Sequence, residues 1–173
     1  MPLISCTHDE HAQAILDILN DAIVSSTALY DYVPRPLESM RTWFAAKQAG
    51  GFPVIGAVDG QGRLLGFASY GVWRAFPAYK YSVEHSVYVH RDARGQGLAT
   101  VLMQALIEAA RAQGKHLLVG AIDASNAASI ALHQKLGFEP AGVVRQAGFK
   151  FGRWLDVAFY QRILDTPAHP VEG

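Results

Sequence analysis

The chain has 173 residues, half of them hydrophobic, which is enough apolar surface to build the core of one compact domain. Fifteen basic and fifteen acidic side chains balance, so net charge does not favour binding to nucleic acid or to an anionic membrane. The single cysteine, Cys6, excludes an intrachain disulfide, and we expect a small buried residue there rather than a catalytic thiol. No apolar run approaches the roughly 20 residues of a membrane span. The N-terminus does not resemble a signal peptide, so we expect a cytoplasmic protein with a small-molecule partner.

The first half of the chain predicts helices followed by strands. Apolar residues between His11 and Ile23 recur on one helical face, and Pro34 and Pro36 separate that helix from the next one. The Asp59-Gly60-Gln61-Gly62 segment has the composition of a hairpin turn. The predicted elements are a strand at 2–6, a helix from His11, a helix at 37–48, and strands at 54–58 and 64–70.

The second half alternates strands with helices, which predicts a mixed α/β fold with a central sheet. An aromatic loop from Trp73 to Tyr79 precedes these elements, and the tail from Thr166 to Gly173 is expected to fray. We therefore expect one domain over residues 1–173. The predicted elements are strands at 81–89 and 117–122, helices at 98–114 and 127–136, and late strands at 138–144 and 155–162.

The most specific local feature is the segment Arg94-Gly95-Gln96-Gly97-Leu98-Ala99-Thr100, between a strand and an amphipathic helix. A helix N-terminus has unpaired N–H groups that favour anions, and glycines allow a phosphate to approach the main chain. A Walker loop is excluded because Leu98 and Ala99 stand where Lys and Ser/Thr are needed. A dinucleotide fingerprint fits poorly at Thr100. The alternative is that these glycines only form a tight turn.

Two motifs resemble the GCN5-related N-acetyltransferase (GNAT) family. Arg94-x-x-Gly97-x-Ala99 is similar to the family's pyrophosphate-binding signature, and the Asn126-to-Phe138 segment is similar to its Asn-x-x-(Ala/Ser)-x-x-x-(Tyr/His)-x-x-x-Gly-Phe segment. The runs at 81–89 and 150–157 resemble the phosphinothricin acetyltransferase branch. Within that branch, Trp73-Arg74-Ala75-Phe76 and Glu84-His85-Ser86 are similar to the methionine sulfoximine/sulfone acetyltransferases. The resemblance covers essentially the whole chain.

The resemblance implies a twisted, mostly antiparallel sheet that splays at an acyl-CoA cleft, flanked by about four helices. It implies acetyl-CoA as co-substrate, no metal, a homodimer, and a role in detoxification that includes herbicide resistance. Arg153 and Trp154, in a late loop from Lys150 to Asp156, would close the site or touch a second subunit. The residues implied to bind CoA are Val87, Tyr88, Val89, the turn residues Arg94, Gly95, Gln96, Gly97, Leu98, Ala99 and Thr100, and Asn126 and Lys135.

Acetyl transfer to an amine requires a group that removes a proton from the substrate ammonium. Glu84 lies in the middle of the 81–89 strand, on the face opposite His85, and the resemblance gives Glu84 the role of general base. Burial would raise its pKa and improve it as a base. The alternative is a solvent-facing carboxylate on an edge strand.

Two histidines have alternative interpretations. His85 is a candidate substrate contact by resemblance, or a hydrogen-bonded core histidine by its alternation in the strand. His133 occupies the position of a tyrosine that donates a proton to the leaving thiolate in relatives, and it could instead be a capping or surface histidine. Asn126 is predicted to cap the helix from 127 and, by resemblance, to bind the pantetheine arm.

An amino-acid substrate carries a carboxylate, for which Arg74 is the candidate partner. Aromatic residues Trp73, Phe76, Tyr30 and Tyr79 could wall a small pocket, and Ala75 and Ser86 complete the set implied to contact substrate. The predicted activity is acetylation of a small amino-acid analogue such as phosphinothricin, methionine sulfoximine or methionine sulfone. The alternatives are a peptide N-terminal acetyltransferase, a non-catalytic acyl-CoA sensor, and, more distantly, a dinucleotide-binding oxidoreductase.

Overall fold

The computed structural model describes residues 1–173 as seven strands and four α-helices. The strands are hydrogen-bonded in the order β1-β2-β3-β4-β5-β7-β6, and β4–β5 is a parallel pair among mostly antiparallel ones. This confirms the predicted fold class. The elements are β1 (Leu3–Ser5), α1 (His8–Ser25), α2 (Ser39–Ala49), β2 (Val54–Val58), β3 (Leu64–Val72), β4 (Ser82–Val89), α3 (Leu98–Ala112), β5 (Leu117–Asp123), α4 (Ala127–Lys135), β6 (Glu139–Lys150) and β7 (Arg153–Ile163).

The residues group into two compact units. The first unit comprises Met1–Tyr70 with Ser86–Leu106, and the second comprises Gly71–His85 with Ile107–Gly173. The prediction of one domain over 1–173 stays a prediction. No α-helix combines the length and the apolar composition that a membrane-spanning helix needs.

The first unit has its own core beneath α1 and α2. Thr7 caps α1, because its hydroxyl accepts a hydrogen bond from the Glu10 N–H. Cys6 is buried in this core as predicted, and burial raises the pKa of its thiol to about 11, so it is not a reactive thiolate. The fully buried residues Ile15, Met40 and Phe67 join α1, α2 and β3 in the same cluster. This packing fixes α1 beside its own unit's strands.

The second unit is built on long antiparallel pairings of β7. β5 pairs with β7 from Leu117 opposite Ile163 to Asp123 opposite Val157. β6 pairs with β7 up to Lys150 opposite Arg153. The late strand was therefore predicted too short, and the predicted 150–156 loop is wrong. Only Phe151 and Gly152 form the turn, both at positive φ, and Arg153 and Trp154 lie on β7.

The physical reason for this miss is an irregular ladder. The β6–β7 register shifts twice, between Pro140 and Gly142 and between Val144 and Gly148, so side-chain alternation breaks although the backbone pairing continues. The tail also differs from a frayed end. His116 donates from Nδ1 to the Thr166 carbonyl oxygen at 2.8 Å, and the Val171 N–H donates to the Tyr81 hydroxyl at 3.0 Å.

Candidate active site

Glu84 lies at the end of the parallel ladder between β4 and β5. The register joins Ser82, Val83 and Glu84 to Leu117, Leu118 and Val119, and the pairing stops there although both strands continue. Along β4, Val83 and His85 are buried while Glu84 is half-buried, which matches the predicted alternation. β4 lies between β3 and β5 in the sheet, so the edge-strand alternative for Glu84 is wrong.

The electrostatic surroundings of Glu84 suit a base. Burial raises the pKa of its carboxyl group, and the positive charge of Arg74 lowers it in part. The Arg74 guanidinium stacks on the Trp73 ring, 5.3 Å from the ring centroid, and it makes no hydrogen bond or ion pair. Trp73 in turn packs edge-on against Phe159, with ring centroids 5.7 Å apart. A carboxylate and an unpaired guanidinium therefore act on each other within the second unit.

The other residues predicted to contact substrate are divided between the two units. Ala75 and Phe76 are exposed in the second unit, and Phe76 is 73% exposed, so it does not pack as a pocket wall in this structure. Tyr79 is also exposed, at the end of a short 3₁₀ turn. Tyr30 and Ser86 belong to the first unit, where Tyr30 is exposed and Ser86 is half-buried. Arg74, Glu84 and His85 belong to the second unit with Ala75 and Phe76, and among them the charge of Arg74 acts on Glu84.

The structure pairs His85 with His133, which the sequence had assigned to separate roles. Their Nε2 atoms are 2.8 Å apart, and the His133 Nδ1 lies 2.7 Å from the Ser129 carbonyl oxygen, one helical turn earlier in α4. Both rings are buried against Phe138, whose centroid is 5.0 Å from that of His85 and 5.1 Å from that of His133. The surface alternative for His133 is therefore wrong, and the core interpretation of His85 is confirmed.

Burial also sets the charge of the pair. It lowers the pKa of both imidazoles, and for His85 the neighbouring His133 lowers it further. The hydrogen bond from His133 to Ser129 opposes part of the effect on His133. The His85 Nδ1 atom is buried without a hydrogen-bond partner. Both rings are thus held neutral around neutral pH.

Helix α4 carries two further residues of the predicted CoA set. Asn126 caps the helix as predicted, because its side-chain oxygen accepts a hydrogen bond from the Ser129 N–H at 3.1 Å. Lys135 is exposed in the last turn. Both side chains are therefore accessible for a ligand. No group of three or more His, Cys, Asp or Glu side chains is arranged to hold a metal ion.

The predicted phosphate-binding turn lies in the first unit, immediately before α3. Gly95 and Gly97 have φ angles of 76° and 77°, a conformation that favours glycine. Gly95, Gln96 and Gly97 are exposed, and the N–H groups of Gln96, Gly97 and Leu98 have no hydrogen-bond partner. Leu98 anchors the start of α3 with a buried side chain, whereas Ala99 and Thr100 are half-buried. Free backbone donors are thus presented at a helix N-terminus.

Arg94 is held beside this turn by its own protein. Its Nε donates to the Val89 carbonyl oxygen at 3.3 Å, and its Nη2 donates to Asp21 of α1 at 3.0 Å. Arg91 makes a second ion pair with Asp21 at 3.5 Å. Val87, Tyr88 and Val89 are half-buried in the last part of β4, which belongs to the same unit.

Sequence reasoning missed the roles of Asp21, Gly120 and Ser129. A Cβ atom on Gly120 would lie 2.9 Å from the His85 Nε2 and 3.0 Å from the His133 Nε2. A glycine inside an apolar strand is a signal of such close approach. The spacing of four residues between Ser129 and His133 on a helix is a signal of the carbonyl contact. Nothing in the sequence near Asp21 indicates its two arginine partners.

Comparison with known proteins identifies the family to which the chain belongs. Residues 13–138 match the acetyltransferase (GNAT) family. A methionine sulfoximine/methionine sulfone acetyltransferase of Pseudomonas paraeruginosa is 52% identical over 87% of this chain and 88% of its own length. A phosphinothricin acetyltransferase of Sinorhizobium meliloti, solved with acetyl-CoA, has a TM-score of 0.94 and 33% identity over 99% of this chain and 94% of its own.

A third similar structure is the ribosomal-protein-alanine N-acetyltransferase of Brucella melitensis. It has a TM-score of 0.91 and is 42% identical, covering 95% of this chain and 100% of its own. The family match spans most of the chain, and the curated relative is similar over nearly its full length. This chain belongs to the GNAT acetyltransferase family.

Proposed function

We propose that this protein transfers the acetyl group of acetyl-CoA to the α-amine of a small amino acid or amino-acid analogue. The observation that carries the proposal is the pair of opposite charges in the second unit. Glu84 is half-buried with a raised pKa, and Arg74 is an unpaired guanidinium that acts on it electrostatically. An amino acid has the complementary pair of groups, an ammonium for the carboxylate and a carboxylate for the guanidinium.

Glu84 acts as the general base in this proposal. Its carboxylate takes one proton from the substrate ammonium, directly or through one water, and the freed nitrogen lone pair attacks the thioester carbonyl carbon. A C–N bond forms, the C–S bond breaks, and the CoA thiolate leaves with the electron pair of that bond. As the amide forms, the nitrogen loses a second proton to solvent. A raised pKa improves Glu84 for this step, because it narrows the gap to the pKa of the ammonium.

The turn before α3 binds the pyrophosphate of acetyl-CoA in this proposal. The N–H groups of Gln96, Gly97 and Leu98 are unpaired at the start of a helix, where anions are favoured, and two glycines without side chains leave the backbone open to a phosphate. The backbone of Val87, Tyr88 and Val89 pairs with the pantetheine amides, and Asn126 and Lys135 add contacts from α4. The Sinorhizobium meliloti structure with acetyl-CoA supports this choice of acyl donor.

The acid role predicted for His133 meets a geometric difficulty. Its Nδ1 must carry a proton to bond the Ser129 carbonyl oxygen, so in the neutral ring its Nε2 has none. A proton on both nitrogens requires a buried imidazolium, which burial disfavours. We therefore propose that the thiolate leaves without a proton from His133 and is protonated later, by solvent.

A panel of free amines with acetyl-CoA tests the proposal through release of the CoA thiol. We expect turnover with methionine sulfoximine, methionine sulfone or phosphinothricin. We expect at least about 10-fold lower kcat/KM for the corresponding amino-acid amides, which lack the charge that Arg74 binds. Equal rates for acids and amides would contradict the role of Arg74. No turnover with any amine would contradict the enzymatic proposal and favour an acyl-CoA sensor.

A second candidate is acetylation of a peptide N-terminus, and the similar Brucella melitensis structure favours it. An N-terminal residue in a peptide has an amine but no free α-carboxylate. Peptides with Ala, Ser or Met at the N-terminus therefore belong in the same panel. A peptide acetylated faster than every free amino acid would replace the first candidate.

We also propose a homodimer, a cytoplasmic location and a detoxifying role. The dimer is supported by exposed apolar side chains on β6 and β7, because Val143, Val144, Phe149 and Trp154 are each about half exposed or more. The cytoplasmic location follows from the acyl donor, which is an intracellular metabolite. Light scattering on the purified protein tests the dimer, and Trp154→Glu should shift it towards monomer. Growth of a strain lacking the gene on methionine sulfoximine tests the detoxifying role.

A further inference from the structure

The pair of buried histidines forms a hydrogen-bonded chain that begins at a backbone carbonyl. The order is the Ser129 carbonyl oxygen, His133 Nδ1, His133 Nε2 and then His85 Nε2, with distances of 2.7 Å and 2.8 Å for the two contacts. The rings are nearly coplanar, at 26°. The chain ends at the His85 Nδ1, which is buried without a partner.

The protons in this chain follow from the chemistry of its first member. A carbonyl oxygen only accepts, so the His133 Nδ1 is the donor. In a neutral ring the His133 Nε2 then holds a lone pair, and it accepts the hydrogen of the His85 Nε2. This leaves a lone pair on the His85 Nδ1, whereas a charged His85 would bury an N–H without an acceptor. Each ring therefore has one fixed tautomer.

Gly120 makes the space that the pair occupies. Continued by one residue, the β4–β5 register would place His85 opposite Gly120, but the ladder ends at Glu84 and Val119. A Cβ on Gly120 would meet both imidazole Nε2 atoms at 3.0 Å or less. The histidine rings thus lie where the side chain of a larger residue on β5 would stand.

We propose that His133 is a positioning residue that acts through His85, and that this pair holds Glu84 in place where the backbone ladder ends. This inference rests on the proposed function, because it takes Glu84 as the base. Beyond Glu84, β5 no longer holds β4 through paired backbone groups, and the side-chain bond from His85 to α4 takes over. Because Glu84 and His85 are adjacent, fixing one residue fixes the direction of the other.

Two substitutions of His133 separate positioning from acid catalysis. In His133→Gln the amide oxygen can still accept from the His85 Nε2, but the side chain has no titrating proton. In His133→Leu the acceptor is lost. We expect kcat to fall about 10- to 100-fold in His133→Leu and less than about 3-fold in His133→Gln, with KM for acetyl-CoA nearly constant in both. Equal losses in the two variants would overturn the positioning role.

Gly120→Ala tests the same pair from β5, with Gly60→Ala as the matched control. A Cβ on Gly60 meets nothing within 4 Å, and neither glycine has a positive φ. We expect Gly120→Ala to lower kcat as much as His133→Leu does. The double variant, which combines Gly120→Ala with His133→Leu, should have the same kcat as either single variant. Losses that multiply in the double variant would show that the two residues act separately, against the proposal.

Nitrogen-15 NMR of histidine-labelled wild-type protein tests the tautomers without any turnover. We expect His133 protonated on Nδ1 and His85 on Nε2, with neither ring gaining a second proton between pH 6 and 8. A proton on the His133 Nε2 would overturn the pairing. The wild-type protein could acetylate no amine and still show the expected tautomers. That result would contradict the proposed function and the role of Glu84, but it would support the hydrogen-bonded histidine pair.

Discussion

The two units of this protein carry two different kinds of candidate site. In the first unit, the turn before α3 offers backbone N–H groups on an exposed segment shaped by two glycines at positive φ. In the second unit, Glu84, His85 and His133 are side chains that are half or fully buried, and burial changes their pKa values. One site is made by backbone conformation and the other by side chains removed from water.

This difference determines what each site tolerates. A backbone site survives changes of most side chains, but not the loss of the conformation that aims its donors. A buried side-chain site depends on the protonation state of each group, because a misplaced proton leaves a buried polar atom unsatisfied. Substitutions in the second unit should therefore change kcat or KM for the amino acid, and substitutions in the first unit should change KM for acetyl-CoA.

Glu84→Gln should have the largest effect. It removes the proton acceptor while keeping the size of the side chain, so we expect kcat to fall about 10²- to 10⁴-fold with KM for acetyl-CoA almost unchanged. Steady-state kinetics by CoA release measures both constants. Glu139→Gln, at an exposed glutamate of β6, is the control and should keep full activity. Normal turnover in Glu84→Gln would show that Glu84 is not the general base, and the second unit would then have no assigned catalytic group.

Arg74→Met should have the next largest effect. We expect KM for the amino acid to rise about 10- to 100-fold, because a charge-assisted hydrogen bond to the substrate carboxylate is lost. Catalysis needs the ionised Glu84, so activity falls as pH falls through its pKa. Arg74 lowers that pKa, so its removal should move the acid limb of kcat/KM to higher pH. Arg145→Met, on an exposed arginine of β6, is the control.

An unchanged acid limb in Arg74→Met would show that the two charges do not interact in the working enzyme. An unchanged KM for the amino acid, with the limb shifted, would show that Arg74 tunes Glu84 but does not bind the substrate. Either result would change the role assigned to Arg74 in the second unit. Neither would affect the proposal that the turn before α3 binds pyrophosphate.

The fold was largely predictable because its elements have regular patterns. The strand at Val54–Val58 was predicted with its observed bounds, and most others to within a few residues, since alternation and helical spacing are local properties. β6 was cut short at Val144 because its register shifts break the alternation, while its backbone pairing with β7 continues. The predictable part was thus the part that each segment determines alone.

The two candidate sites also differ in how far they could be predicted from the sequence. The turn was predictable as a unit, because consecutive residues make it. The histidine pair joins residues 48 positions apart, and from sequence each histidine was interpreted separately. Gly120 makes room for this pair because it has no side chain. The need for a glycine there can be recognised only when the positions of both rings are known. Asp21 likewise finds Arg94 across 73 positions of sequence.

Gly97→Ala tests the backbone site in the first unit. Its φ of 77° strains an alanine by about 1 kcal/mol, and the new methyl group occupies the proposed approach of the pyrophosphate. Gly62→Ala is a matched control, because it has a φ of 80°, open surroundings and a place in the β2–β3 turn.

Thermal unfolding of Gly97→Ala and Gly62→Ala should show similar losses of stability, since the strain is the same. Only Gly97→Ala should raise KM for acetyl-CoA, by about 10-fold, with kcat at saturation little changed. If both variants raise that KM equally, the effect is one of general stability, and the turn loses its assignment.

Asp21→Asn should have the smallest effect and the opposite sign. Asp21 engages Arg91 and Arg94, so part of their positive charge is neutralised beside the turn. Removing its charge should lower KM for acetyl-CoA about 2- to 3-fold at low ionic strength, and this gain should vanish at about 0.5 M salt, where exposed charges are screened. Asp17→Asn, one turn earlier on α1 and bonded only to Gln13, is the control. A KM that rises at every salt concentration would mean that Asp21 holds the turn in shape, so the first unit also would depend on a side chain.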